Sequence, residues 1–150
     1  NLEASIRDTG GRVEVEELVT IDADSVQMVQ LFQNLIGNAL KFHGEERPVV
    51  KVYGLTVEPG TKKVRSHDRS YTILIKDNGI GFDEKYLDRI FTPFQRLHGR
   101  GVYEGTGIGL AICRKIVDRH GGTITAKSTP GEGTTFIVSL PVKQPKGETE

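Results

Sequence analysis

An aspartate followed by glycines is one group of residues in this chain that could support chemistry. Asp77 follows an apolar run at residues 71–76 that is typical of a β-strand, and Gly79 and Gly81 come shortly after it. No lysine or arginine stands beside this carboxylate on the loop side. A carboxylate at such a strand end can accept hydrogen bonds from an amino group of a ligand.

A second glycine cluster, Gly105-x-Gly107-x-Gly109, stands before a segment with helical spacing that begins at Leu110. Glycine permits close approach of the backbone to a ligand. The first N–H groups of a helix lack partners within the helix and the dipole adds positive potential, so this helix start favours phosphate. A dinucleotide-binding unit does not fit, because its glycines follow the first strand and these follow a long loop late in the chain.

Three polar residues share one face of a predicted helix. Asn34, Asn38 and Lys41 are spaced i, i+4 and i+7, which aligns them at 3.6 residues per turn. Asparagine is a poor helix former, so two of them among apolar residues need an explanation. One interpretation is a polar edge in solvent. The other is amide oxygens for a hard cation, with the lysine for phosphate.

The elements that must position these groups follow from hydrophobic periodicity and turn residues. A long helix is predicted over residues 25–42, with Asp24 as its N-cap. The other predictions are two short strands at 2–8 and 13–18, a hairpin of strands at 49–57 and 71–76, a short helix at 83–90 capped by Asp83, a basic lid loop at 95–104, a helix from about 107 with Gly121 as its C-terminal cap, and strands at 123–127 and 135–140.

Composition limits the classes of partner. The chain has 150 residues, enough for one domain with a working core. Twenty Lys and Arg residues balance 20 Asp and Glu residues, so no general field favours nucleic acid or an anionic membrane. The single cysteine, Cys113, excludes an internal disulfide and indicates a reducing compartment. Without a signal peptide or an apolar run of roughly 20 residues, a cytoplasmic domain is expected.

Five motifs in a fixed order cover nearly the whole chain and resemble one family. They resemble the catalytic, ATP-binding domain of sensor histidine kinases, whose superfamily also includes the gyrase B subunit, a mismatch-repair ATPase and a heat-shock chaperone. Residues 94–122 are most similar to phytochrome-type kinases. The motifs are NLIGNALKF at 34–42 (N box), DNGIG at 77–81 (first glycine box), FTPF at 91–94 (F box), GTGIGL at 105–110 (second glycine box) and GEGTTF at 131–136 (last turn).

The resemblance implies an α/β sandwich of the Bergerat type, with a mixed sheet of about five strands and helices packed on one face. It also implies three segments. Residues 1–17 would form the junction from a helical dimerisation and histidine domain together with the first strands. Residues 18–142 would form the ATP-binding domain, and residues 143–150 would form a disordered tail.

Roles at the adenine and the metal also follow from the resemblance. Asp77 would hold the adenine amino group with help from Gly81 and from Thr135, the latter through water. Asn38 would bind Mg²⁺, with Asn34 nearby.

Roles at the phosphates and the lid follow in the same way. Lys41 would contact phosphate and Arg96 would reach the γ-phosphate. Phe91 and Phe94 would either anchor the lid or belong to the core. The other nucleotide-binding residues that the resemblance implies are Gly79, Gly105, Thr106, Gly107, Gly109 and Leu110.

Three functions remain open at this point: a histidine kinase, a hydrolysing ATPase or clamp of the same superfamily, and a binding module without chemistry. The hydrolysing relatives have a glutamate that activates water at the position of Asn34. A neutral amide cannot act as a general base. This residue therefore favours a kinase whose nucleophile, an imidazole nitrogen, comes from outside the domain.

The histidines of the chain do not supply that nucleophile. None of the four (His43, His67, His98, His120) stands in a phosphoacceptor motif, so the chain is expected to bind ATP but not to autophosphorylate alone. The expected partners are the histidine-containing dimerisation domain of the same kinase and the receiver domain of a response regulator. Neither nucleic acid nor direct membrane contact is expected. A monomer is expected, because dimerisation in this family belongs to the helical domain.

Overall fold

The computed structural model describes residues 2–57, 70–93 and 108–143 of the chain. One five-stranded sheet organises the described elements. In chain order these are α1 (Leu2–Thr9), β1 (Arg12–Val15), α2 (Ser25–Lys41), β2 (Val49–Val57), β3 (Ser70–Asp77), a 3₁₀ turn (Glu84–Tyr86) that leads into α3 (Leu87–Ile90), α4 (Gly109–Arg119), β4 (Thr123–Thr129) and β5 (Gly133–Pro141).

The sheet has the strand order β1-β2-β3-β5-β4. Strand β1 lies parallel to β2, and every other neighbouring pair is antiparallel. Side chains alternate between the two faces of a strand, so the sheet has a core face, which carries the buried residues Ile73, Ile75 and Val138, and an outer face. Helix α2 contacts β2 and β3, and α4 contacts β4. The predicted mixed sheet with helices on one face is confirmed.

Helix α2 is the central helix of the layer on the core face. Asp24 caps it as predicted, since its Oδ1 accepts the N–H of Gln27 at 3.0 Å. Leu31, Leu35 and Leu40 are fully buried along one side of the helix. Burial of one such side chain contributes about 1.5–3 kcal/mol. This stripe therefore holds the polar side of α2 at a defined position relative to the sheet.

The prediction of a strand over residues 2–8 is wrong, because the segment forms α1. Leu2 and Ile6, one helical turn apart, pack against the core, and α1 lies against α2. The helix is followed by Gly10, whose φ is +69°, and the N–H of Gly11 donates to the carbonyl of Ile6 at 3.1 Å, which is a Schellman ending. Packing against α2 thus decides the structure of a short apolar run that also suits a strand. The second predicted strand exists as the shorter β1.

The remaining elements follow the predictions within about two residues. Asp83 accepts the N–H of Lys85 at 3.0 Å, but the predicted helix at 83–90 begins as a 3₁₀ turn. Helix α4 is followed by Gly121 with φ +75°, the expected left-handed cap. The predicted lid lies outside the described residues. No helix in the described ranges has the length and apolar character needed to cross a membrane.

Candidate functional site

Asp77 is the last residue of β3, and its side chain is on the core face of the sheet. Its Oδ1 accepts two backbone hydrogen bonds, from the N–H of Gly79 at 2.8 Å and from the N–H of Thr134 at 3.1 Å. Within the described part of the chain, Oδ2 accepts none. One carboxylate oxygen is therefore fixed by the protein, and the other remains an acceptor for a ligand.

The surroundings of Asp77 destabilise the ionised form of its side chain. Burial raises the pKa of Asp77 above its ordinary value of 3.8, and the hydrogen bonds from Gly79 and Thr134 lower it only in part. Desolvation disfavours the ionised form, whereas donors that bond to it favour it. A ligand amino group at Oδ2 would supply a further donor to a carboxylate that is short of water.

The loop after Asp77 is held at both of its sides. The N–H of Ile80 donates to the carbonyl of Phe42 at the end of α2, at 3.0 Å, and the carbonyl of Ile80 accepts the N–H of Gly131 at 2.7 Å. Gly81 has a φ of +66°, and a Cβ on it would lie 2.2 Å from the carbonyl oxygen of Thr129. A residue with a side chain does not fit there, so the glycine of the motif has a steric reason.

Ser128 on β4 connects this loop to β5. Its Oγ accepts the N–H of Phe82 at 2.8 Å, donates to the carbonyl of Gly133 at 3.1 Å and lies 2.8 Å from Oγ1 of Thr134. Its own N–H donates to Oε2 of Glu84 at 3.1 Å. Ser128 was not among the residues predicted from the sequence. Only its position two residues before the Pro130-Gly131 turn could have suggested that it faces the aspartate loop.

Thr134, rather than Thr135, belongs to the site. Strand register pairs Lys76 with Thr135, so Thr135 lies on the outer face of the sheet, opposite to the face of Asp77. This geometry does not fit the predicted role of Thr135 at adenine. Thr134 is buried and bonds to Asp77 through its backbone N–H. The alternation Thr134, Phe136, Val138 along β5 was the signal that could have identified it.

The polar face of α2 meets the start of α4. Nδ2 of Asn34 lies 3.5 Å from the carbonyl oxygen of Gly109 and donates to it. Asn38 and Lys41 follow on the same side of α2 and, like Asn34, are half-buried. The Nζ of Lys41 lies 5.4 Å from the centre of the Phe42 ring. Of these three side chains, Asn34 contacts the helix start that was expected to bind phosphate, and the roles of Asn38 and Lys41 there stay predictions.

The start of α4 has no side-chain cap. Ile108 is the N-cap residue and its side chain makes no capping hydrogen bond, so the first N–H groups of the helix gain no acceptor from the N-cap side chain. Gly109 and Leu110 form the first turn and are half-buried. The other residues predicted for the phosphates and the lid, namely Phe94, Arg96, Gly105, Thr106 and Gly107, lie outside the described residues.

Phe91 belongs to the core. It is 7% exposed, and its ring packs edge-on against the ring of Phe136 with the centres 6.3 Å apart. The guanidinium of Arg114 lies 5.9 Å from the Phe91 ring centre. Of the two interpretations of this phenylalanine, the structure supports the core.

Comparison with known proteins agrees with this geometry. The family model described as histidine kinase-, DNA gyrase B- and HSP90-like ATPase matches residues 23–144. The chain belongs to this ATPase family. The match covers α2, β3 with Asp77, α4 and the last two strands, which are the elements that carry the candidate site.

Individual relatives of this ATPase-family domain include a phytochrome-like protein and a histidine kinase. Phytochrome-like protein Cph1 of Synechocystis is 44% identical over 142 residues, which are 95% of this chain and 18% of that protein. The chain thus spans less than a fifth of that relative. The catalytic domain of histidine kinase ThkA has the same fold, with 27% identity, a TM-score of 0.70 and coverage of 95% of this chain and 86% of that one. ThkA in complex with the response regulator protein TrrA matches at 26% identity and a TM-score of 0.67, over 94% of this chain and 37% of that one.

The donor set suits a magnesium ion that is held mainly by phosphate and water. No group of three or more His, Cys, Asp and Glu side chains among the described residues could enclose a metal. Asn38 offers an amide oxygen on the half-buried face of α2, and its side chain makes no hydrogen bond to the described residues. Mg²⁺ usually keeps several waters and uses one or two protein ligands plus substrate phosphates. The residues present fit that mode of binding.

Two other reactive side chains have structural roles. His120 is buried; its Nδ1 lies 2.8 Å from the carbonyl oxygen of Ile116, and its Nε2 accepts the N–H of Asp24 at 3.1 Å. It therefore joins the end of α4 to the start of α2. Cys113 is fully buried, and desolvation raises its pKa to about 12. A thiol in that state is inert, so the predicted core role of Cys113 is supported.

Proposed function

We propose that the chain is the catalytic, ATP-binding domain of a sensor histidine kinase. The γ-phosphoryl group of ATP passes to an imidazole nitrogen on a separate helical domain of the same kinase, and then to the receiver domain of a response regulator. The family membership and the phytochrome-like and ThkA relatives support this proposal. The observation that carries it is the carboxylate of Asp77, with one oxygen fixed by two backbone N–H groups and the other left to accept the adenine amino group.

Recognition of adenine depends on the ionised form of Asp77. The carboxylate accepts the exocyclic amino group at Oδ2, while Oδ1 stays bonded to Gly79 and Thr134. Because the surroundings leave the charge poorly solvated, a hydrogen bond to it is worth more than one to an exposed carboxylate. Guanine carries a carbonyl oxygen where adenine carries its amino group, and two acceptors facing each other repel. The site therefore selects adenine.

The phosphates are proposed to lie between α2 and the start of α4. The uncapped N–H groups after Ile108 and the ammonium of Lys41 offer positive potential to the triphosphate, and Arg96 is assigned to the γ-phosphate. Asn38 is assigned to hold Mg²⁺, which would neutralise charge on the phosphate oxygens. Phosphoryl transfer requires mainly such positioning and charge stabilisation.

The nucleophile is proposed to be a histidine from outside the chain. Its nitrogen lone pair forms the new N–P bond, the bond from the γ-phosphorus to the bridging oxygen breaks, and ADP leaves with that electron pair. Asn34 supports transfer over hydrolysis, because its amide has no basic site for a water proton and its Nδ2 donates to the carbonyl of Gly109. The chain alone should therefore hydrolyse ATP slowly and acquire no phosphohistidine.

Localisation and assembly follow from this function as parts of the proposal. The domain works in the cytoplasm, where ATP and receiver domains are found, and it is a monomer without the helical domain. No direct contact with nucleic acid or with a membrane is needed.

Calorimetric titration of the chain with ATP and Mg²⁺ tests the proposal. Wild type should bind, and Asp77→Asn should bind at least about 30-fold more weakly, because the amide loses the charge that strengthens the bond to adenine. Thr135→Val is the matched control, since Thr135 lies on the outer face, and it should leave the affinity within about two-fold. A folded wild type that does not bind ATP would contradict the proposal. Phosphohistidine formation by the isolated chain would contradict the assignment of an external nucleophile.

A further inference from the structure

A row of lysines crosses the outer face of the sheet. Strand register places Lys51 opposite Lys76, and Thr135 lies between Lys76 and Lys127. The three lysines are exposed and form no ion pair with the described residues. With neighbouring strands about 4.8 Å apart, the row spans about 14 Å across β2, β3, β5 and β4.

This lysine row opposes folding. Like charges directly opposite each other on neighbouring strands are destabilising, and Lys51 and Lys76 form such a pair. Among the described strand residues, Glu14 is the one carboxylate that shares the face; it stands opposite Lys51 in the register, at the β1 end of the row, and Arg12 already pairs with it at 3.0 Å. The chain has a formal net charge of zero, so the positive charge is concentrated locally. An acidic partner would convert the repulsion into attraction.

An apolar row runs beside the lysines. Register aligns Tyr53, Leu74 and Ile137 across β2, β3 and β5. This row lies two residues along each strand from the lysine row. The three side chains are half-buried, and Leu55 on the same face is 56% exposed. The two rows lie about 7 Å apart, since two residues of a strand span that distance. The outer face thus combines a positive stripe with an apolar stripe.

We propose that this outer face docks an acidic amphipathic helix of a partner protein, which lies across the strands. Acidic residues three or four positions apart on a helix are about 5–6 Å from each other, which matches Lys51 to Lys76. A further seven residues advance about 10.5 Å, which matches the two strand spacings from Lys76 to Lys127. The apolar side of the helix then covers Leu74 and Ile137, just as helices cover the core face of the same sheet.

The docking face is separate from the candidate nucleotide site. Lys76 and Thr135 directly adjoin Asp77 and Thr134 in the chain, but their side chains point to the opposite side of the sheet. The helix and the nucleotide therefore do not compete, and the inference does not depend on the proposed kinase activity.

An NMR titration tests the docking. The probe is a synthetic helical peptide of about 18 residues with glutamates along one side and leucines beside them, and its matched control has glutamine for every glutamate. The acidic peptide should shift the amides of β2, β3, β5 and β4, and should bind with or without MgATP. Lys51→Gln/Lys76→Gln/Lys127→Gln should weaken its binding by about ten-fold or more.

Control variants and melting curves make the result decisive. Lys85→Gln/Lys115→Gln/Lys143→Gln removes three exposed charges elsewhere and should change the affinity by less than about two-fold. The face variant should melt at a higher temperature than wild type, because it removes the repulsion of Lys51 and Lys76. Equal weakening by both triple variants, or equal binding of the glutamine peptide, would overturn the proposal.

Other occupants of the face would also overturn it. The same amides would then shift with RNA or with phosphatidylserine vesicles while the peptide had no effect. Deletion of residues 144–150 would shift them if the chain's own terminus covered the face. A dimer that the face variant abolished would identify a second copy as the occupant.

Discussion

The two ends of the candidate site are built in opposite ways. At the aspartate end, Asp77 accepts bonds of 2.8 and 3.1 Å, and the neighbouring loop bonds to α2 and to the turn after β4. At the helix end, Asn34 forms a long bond of 3.5 Å to Gly109 and a side-chain bond to the thiol of Cys113, and the side chain of Ile108 provides no cap for α4. The aspartate end is arranged before any ligand arrives. The helix end keeps donors that a bound anion would satisfy.

Under the proposed function, the difference separates recognition of the base from transfer of the phosphoryl group. A rigid acceptor at Asp77 costs little ordering when a base binds, which favours affinity and selectivity. Phosphoryl groups change charge and geometry during transfer, so the groups around them need donors without permanent partners.

Gly81→Ala should cause the largest loss of stability. A Cβ at this position would lie 2.2 Å from the carbonyl oxygen of Thr129, and the φ of +66° disfavours a side chain as well. We expect a loss of about 3 kcal/mol or more in the free energy of unfolding, measured by urea denaturation.

Gly131→Ala is the matched control for that substitution. Gly131 has a similarly positive φ of +82°, but a Cβ on it would meet no atom within 4 Å. Only the backbone cost of about 1 kcal/mol should remain. Equal losses in the two variants would mean that the contact with Thr129 gives way easily and that the loop is less rigid than its hydrogen bonds indicate.

Asp77→Asn should raise the stability of the ligand-free protein by a few degrees in Tm at neutral pH. The amide oxygen can still accept the bonds from Gly79 and Thr134, while the desolvated charge disappears. The same substitution is expected to weaken ATP binding strongly. The carboxylate of Asp77 is therefore expected to lower the stability of the ligand-free protein while it provides affinity for ATP. A lower Tm in the variant would show that the charge stabilises the loop.

The gain in Tm expected for Asp77→Asn should depend on pH in a defined direction. Burial raises the native pKa of Asp77 above 3.8, so the native state binds this proton more tightly than the unfolded state does. Stability from this group is therefore lost as pH rises from about 3.8 through the raised native pKa. The difference in Tm between Asp77→Asn and wild type should grow over that window and vanish below it. A difference that is independent of pH would contradict the assignment of the effect to the charge.

The sequence was informative where structure is local. The caps at Asp24 and Asp83 and the helical face of Asn34 all depend on residues within a few positions of each other. The failures involve distant partners. Leu2 and Ile6 became helical because α2 lies beside them, and the placement of Thr135 failed because the face of β5 depends on its pairing with β3. Ser128 was missed for the same reason, since its bonding partners belong to a loop and to another strand.

Hydrogen exchange of backbone amides should distinguish the aspartate end of the candidate site from its helix end. In the ligand-free chain, the amides of Gly79 and Thr134 are bonded to Asp77 and should exchange slowly, whereas the first amides of α4 should exchange fast. MgATP should slow the α4 amides by about ten-fold or more and the other two by less than about three-fold. Similar protection of both regions without ligand would remove the contrast.

Asn34→Ala should have the smallest effect on folding. The variant loses a long bond of 3.5 Å to Gly109 and a weak bond to the thiol of Cys113, which together are worth about 0.5–1 kcal/mol. Alanine has a higher helix propensity than asparagine, which stabilises α2 by about the same free energy. The free energy of unfolding should therefore change by less than about 0.5 kcal/mol in urea denaturation, whereas phosphotransfer to an added histidine domain should fall. If Asn34→Ala destabilised the chain as much as Gly81→Ala, the helix end would be as firmly built as the aspartate end, and Asn34 would be a structural residue.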